Sequence, residues 1–333
     1  MPDISSLIDR IEATVERYHL GETGVYGRWL WQNPAGDRRL GKDEYGCSDA
    51  ANILYTIGKF PQEAVTRAAW IAALQAFQEP ESGLFRERTH TPIHTTAHCI
   101  AALELFDARP LHPLTELAKV ATRADLESFL KGLDWKGRPW PESHKGAGLY
   151  AARVLAGESS KEWRDWYFEW LWENADPVTG LWRKGCLADL GKEGIFPHLA
   201  GTFHYLFNQE YARLPLRYPH RLVDTCLRIY REKSYPTLGH AISFAEIDWV
   251  YCLSRALRQS GHRLEEAQST LMEFAAGFID FLEKIDDVKH EGWNDLHHLF
   301  GTTCALAELQ QCLPGFLTTE RPLKLVLDRR PFI

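Results

Sequence analysis

Two sets of side chains in this sequence have the chemistry for acid–base catalysis. One is a carboxylate set of Asp49, Asp248 or Glu246, and Asp295; the other is a histidine set of His94, His98 and His198. Histidine titrates nearest to neutrality and can give or take a proton at physiological pH. Carboxylates facing each other across a cleft are the equipment of glycoside cleavage. Histidine and tyrosine beside an anion-binding rim suit removal of a proton next to a uronate carboxylate. On residue type and spacing we expect Asp49, His94, His98, Asp248 and Asp295 to be catalytic. Arg86, Tyr150, Trp182, His198, Glu246, Trp249, Trp293 and His298 are expected to hold substrate.

Plainer roles compete. Asp49 follows Ser48 and also suits an acid in a helix's first turn. Glu246 and Asp248 are two apart, and His297 and His298 adjacent, so on a helix only one of each pair faces a given wall. His94 and His98 share a face at i, i+4, and with His90 they imitate a metal site. His90, however, stands just before Pro92 and falls outside the helix. The sequence therefore assigns no metal and no cofactor.

These residues must be positioned by helices, because the chain shows 3.6-residue periodicity almost throughout and no convincing strand pair. Amphipathic helices are expected at 4–18, 62–77, 115–130, 160–173, 219–232 and 264–282, with their polar faces in water. Between them lie shorter, nearly all-apolar helices beginning near Ser48, Thr95, Gly146, His198, Ser243 and His297. A helix apolar on every side is buried, and starts recurring at roughly 50 residues mark a repeat architecture. Six buried helices alternating with six amphipathic ones make an all-α fold, an (α/α)6 toroid. No linker interrupts the pattern, so 1–333 is expected to be one domain, with 314–333 an extended strap across the outside.

The stretch LQAFQEPESGLFRERTHTPIHTTAHCIAALELF, from Leu74 to Phe106, contains Gly83-Leu84-Phe85 in a Pro/Gly turn. DPVTGLW at Asp176–Trp182 and EGW at Glu291–Trp293 are weaker copies. The stretch resembles the repeat of the prenyltransferase and squalene-cyclase families within the α/α-toroid superfamily, and more loosely the six-hairpin glycosidases and toroidal lyases. That resemblance implies the hairpin architecture. The cyclases' D-x-D-D acid is absent, Glu246-Ile247-Asp248 being the nearest approach. The prenyltransferases' Asp, Cys and His zinc ligands find only a partial echo in Asp248, Cys252 and Asp295–His298.

Composition narrows the partners. A formal net charge of -7 and no basic stripe argue against double-stranded nucleic acid, whose binding rests on phosphate neutralisation. No run reaches the roughly 18 apolar residues of a membrane span. The N-terminal segment carries acids from its third residue and no apolar core, so a cytoplasmic location is expected. Seven cysteines without paired spacing read as reduced thiols. Twelve tryptophans suit stacking on sugars. The leading expectation is a carbohydrate-active enzyme, hydrolase or lyase, acting on a short and acidic saccharide. The alternatives are an isoprenoid-handling enzyme and a non-catalytic toroid binding a ligand or protein; the sequence leaves the oligomeric state open.

Overall fold

The computed structural model describes residues 2–192, 194–286 and 288–333. Its described residues are all-helical, with five isolated β-bridges and no strand. Amphipathic helices α1 (Ser5–Arg17), α3 (Ala64–Gln75), α5 (Arg123–Gly132), α7 (Lys161–Asn174), α9 (Pro219–Arg231) and α11 (Leu264–Lys284) alternate with buried ones. The buried set is α2 (Glu44–Thr56), α4 (Pro92–Leu105), α6 (Pro139–Ala156), α8 (Phe196–Tyr211), α10 (Ala245–Ser260) and α12 (Leu296–Cys312). A last short helix, α13 (Val326–Arg329), follows.

Most of the amphipathic helices match the periodicity to within two residues. α5 starts late because Leu117–Lys119 forms a separate 3-10 turn and Thr122 caps the helix reciprocally with Asp125. Three buried helices start early. The Asp43 carboxylate accepts the amides of Tyr45 and Gly46, Thr91 caps α4, and Pro139 opens α6, so Ser48, Thr95 and Gly146 lie inside their helices.

Each even-numbered helix from α2 to α12 packs on the next, and α12 packs back on α2. α6 and α8 come close together because each carries a glycine where a side chain would collide. A Cβ at Gly146 would strike the Tyr205 hydroxyl, and one at Gly201 would stand 3.0 Å from the Pro139 carbonyl oxygen.

The hairpin turns repeat in detail. The amide of Phe85 donates to Thr96 Oγ1 at 2.9 Å, and that of Trp182 to Thr202 Oγ1 at 3.0 Å. Each threonine hydroxyl donates in turn to the carbonyl four residues back. Gly83 and Gly180 both have φ near +75°, and each turn closes by an amide bond to the residue four before. Trp293 does not follow: its amide donates to His290 O.

All seven cysteines are free thiols, and six are buried. The tail departs from expectation. Thr318 bridges to Asp3 at the surface, but from Leu323 onward the chain turns inward. Lys324 N donates to Thr56 O, and Asn208 Nδ2 donates to Pro331 O. Arg330, Phe332 and Ile333 are buried. The apolar residues of LKLVL and PFI are the cause, since leaving them exposed forfeits their transfer free energy.

Candidate active site

A cavity of about 360 Å³ is lined from the starts of α4, α6 and α12, the segment before α10 and the middle of α8. Its wall includes Arg28, six histidines (90, 94, 144, 204, 297 and 298), Trp140, Phe244 and Ile333. Hollows of about 520 Å³ beside Arg138 and His198, and about 470 Å³ beside Tyr230 and His240, gather no comparable set of acid–base groups.

The histidines arrive from successive helices. His94 is the third residue of α4, His144 the sixth of α6 and His204 the ninth of α8. One ring nitrogen from each lies within 4.8 Å of the others. His204 Nδ1 donates to Ala200 O at 2.9 Å and has Ser143 Oγ at 3.1 Å. His94 Nδ1 is bonded to the Tyr45 hydroxyl. Burial, reinforced by neighbouring imidazoles, holds His94 and His144 well below the ordinary histidine range, and burial pushes His204 down to about 3.

Behind this wall stands a second group. Asp49, fully buried on α2, is 2.8 Å from His98 Nε2 and 3.0 Å from His297 Nδ1. Committing His297 Nδ1 to the carboxylate fixes the tautomer and leaves Nε2 as the nitrogen able to take a proton. Burial, then the charge of Arg28, holds His297 well below its usual pKa, so the ring is neutral at physiological pH. Asp295 caps α12 through the His297 amide and accepts Arg28 Nε and Nη2 at 2.9 and 3.1 Å. Burial alone would raise its pKa; the Arg28 guanidinium overrides that and holds the carboxyl well below its usual range. Arg28 also donates to Thr89 Oγ1 at 2.7 Å.

Of the residues singled out from sequence, the structure brings His94 and His298 to the cavity wall and Asp49, His98 and Asp295 directly behind it. The rest lie elsewhere. Arg86 is exposed and paired with Glu79. Tyr150 stacks on Tyr167 at 4.6 Å in the packing between α6 and α7. Trp182 and Trp249 donate their indole N–H to Leu171 O and Cys226 O, bolting hairpins together. Trp293 is buried beneath Arg10. His198 lines the hollow near Arg138. Glu246 accepts Gly239 N and Ser243 Oγ, and burial pushes its carboxyl up to about 7. Asp248 is fully buried with neither oxygen hydrogen-bonded.

Sequence reasoning passed over Arg28, His144 and Tyr45. His144 was legible as the α6 counterpart of His94, 50 residues on. Arg28 was not, because it meets Asp295 across 267 residues.

Comparison of the chain with protein-family models, with curated proteins and with solved structures finds no match in any of the three. No helix among the described residues is long and apolar enough to cross a membrane.

Proposed function

We propose that this chain is a single-domain (α/α)6 toroid and an enzyme of the lyase type, cleaving a short uronate-containing saccharide in the histidine-lined cavity. The toroid is supported by the packing of each even-numbered helix on the next, with α12 returning to α2. The observation carrying the reaction is the Asp49–His297 pair, 3.0 Å apart, behind a cavity wall that also presents Arg28.

In the proposed step, His297 Nε2 removes the proton on the carbon next to the uronate carboxylate. The C–H electron pair becomes a carbon–carbon double bond, and the bond to the departing glycosidic oxygen breaks. The imidazolium, steadied by Asp49, returns its proton to that oxygen. Arg28 retains donor capacity on its terminal nitrogens for a carboxylate, and Asp295 holds it in place. A cavity of about 360 Å³ sits at the small end of ligand pockets, in keeping with a short substrate.

Glycoside hydrolysis finds less support, because it needs two free carboxyl groups across the site. Here Asp49 and Asp295 are held by His297 and Arg28, and Glu246 and Asp248 are not on the wall. The isoprenoid alternative meets a wall on which six imidazoles outnumber the other aromatic rings, Trp140, Tyr235 and Phe244. A second reading, a ligand-binding toroid without turnover, is favoured by one observation: the tail's Phe332 and Ile333 fill part of the interior.

The test is incubation with oligouronates and with neutral oligosaccharides, following the ultraviolet absorbance of the unsaturated product. Growth of that absorbance with uronates, abolished in His297→Ala, is the expected result. Binding without product supports the ligand-binding reading, and indifference to every uronate removes the lyase.

A further inference from the structure

We propose that His94, His144 and His204 bind one first-row transition-metal dication of the zinc class, with a coordination position open to the cavity. The site extends the lyase reading by offering an electrophile for the substrate carboxylate. It stands on its own geometry, and its test uses no substrate.

Three imidazole nitrogens from α4, α6 and α8 lie within 4.8 Å of one another at one cavity wall. A tetrahedral zinc with ordinary Zn–N lengths spaces its ligands about 3.3 Å apart, so the rings need to close by less than about 1 Å each. The glycines at 146 and 201 are what let α6 and α8 stand close enough for the side chains to converge.

The outer hydrogen bonds have the required form. Ligating histidines almost always commit their second ring nitrogen to a carbonyl, carboxylate or other polar group, which fixes the tautomer and the ring plane. His204 Nδ1 is committed to Ala200 O, and His94 Nδ1 to the Tyr45 hydroxyl. The Ala200 carbonyl can only accept, so His204 keeps Nε2 as its lone pair; His94 does so in the tautomer that donates from Nδ1 to the hydroxyl. His144, half-buried between them, has its ring centroid 4.3 Å from that of His94 and 4.6 Å from that of His204.

Among the described residues no carboxylate joins this group, so nothing within it offsets converging imidazole lone pairs. A bound cation does. Imidazole donors select zinc, cobalt, nickel, copper or iron over magnesium and calcium, which prefer oxygen. Three protein ligands with a free position is the composition of catalytic rather than structural zinc sites.

The experiment treats the full chain with a chelator, removes it, and titrates Co(II), then Zn(II) in competition. One equivalent of Co(II) should give visible d–d absorption that Zn(II) displaces. His144→Gln and His204→Gln should each weaken uptake by 100-fold or more, while Asp49→Asn leaves it within about tenfold. Because a histidine variant could misfold, circular dichroism of each metal-free variant is compared with wild type. X-ray absorption of the zinc-loaded wild type should independently read three imidazole nitrogens at about 2.0–2.1 Å. No uptake at micromolar Co(II), uptake indifferent to both glutamine variants, or fewer than three imidazoles in the absorption spectrum would overturn the proposal. So would loss on Asp49→Asn with retention in His144→Gln, which would place the ion in the neighbouring group.

Discussion

Asp49, His98 and His297 are grouped as tightly as His94, His144 and His204, and each trio is drawn from three helices. α4 contributes to both, through His94 and His98 one turn apart. The difference lies in what the lone pairs meet. In the first trio the Asp49 carboxylate accepts from both imidazoles, which ties the three side chains together while leaving His98 Nδ1 buried without a partner and His297 at the cavity wall. In the second, no carboxylate is present and the free nitrogens border a cavity. Proximity of ligand-type side chains is therefore a poor guide to a binding site. The accounting of donors and acceptors separates a group already tied by a carboxylate from one that is not.

Breaking the tied trio should have the largest effect. Asp49→Ala leaves two buried imidazole N–H groups without their shared acceptor. Leaving a buried donor unsatisfied costs about 1–3 kcal/mol for each group, and His297 loses its orienting partner. Chemical denaturation should show a loss of that size. A change below about 1 kcal/mol would mean that the trio is not structural.

Phe332→Ala tests the open trio from its far side. The ring lies 4.9 Å from His94 and 5.7 Å from Phe207 and is fully buried. Truncating a buried phenylalanine costs about 3 kcal/mol or more, which the urea midpoint should register. A variant as stable as wild type would show that the tail only rests in the interior and does not brace it.

Asp248 sharpens the comparison as a carboxylate with no partner at all. Burial, then the charge of Glu246, holds its pKa well above the usual value. The sign follows by linkage: once pH passes the unfolded pKa of about 3.9, the unfolded chain sheds its proton while the folded one keeps it. Wild type should therefore lose stability with rising pH at this residue. Asp248→Asn should match wild type near pH 4 and exceed it near pH 7, by a few degrees in Tm. Equal stability across that range would mean that Asp248 is ionised and paired.

How much of this was readable beforehand depended on range. The alternation of amphipathic and apolar helices is a local signal, and it located twelve helices. Their starts were harder, because polar residues in the first turns of α2, α4 and α6 belong to the site, so Ser48 and Thr95 imitated caps while Asp43 and Thr91 did the capping. Asp49, His94 and Asp295 stood out as polar residues in apolar text. Their partners did not, since the Asp49–His297 and Arg28–Asp295 bonds close only when the two ends of the chain meet. Tryptophan misled for a physical reason: an indole suits a sugar face and a hairpin core equally, and the choice is made by whether its N–H finds a carbonyl.

The smallest effect is expected at the residue that joins the two trios. Tyr45 stacks on His90 at 4.6 Å and on His98 at 4.8 Å, meets His297 edge-on at 4.6 Å, and bonds His94 Nδ1 through its hydroxyl. Tyr45→Phe keeps all three ring contacts and deletes the hydroxyl with its bond to His94. The tied trio should be untouched, with stability falling by about 1 kcal/mol, the net worth of one hydrogen bond. The open trio should feel more, because His94 loses the partner that sets its ring plane. Outer hydrogen bonds of this kind change metal affinity by about 10–100-fold, so Co(II) should bind roughly tenfold more weakly. Tyr45→Phe combined with Asp49→Asn should then lower stability additively, since the hydroxyl and the carboxylate serve different imidazoles. Strong non-additivity would show that the trios form one network through the Tyr45 ring.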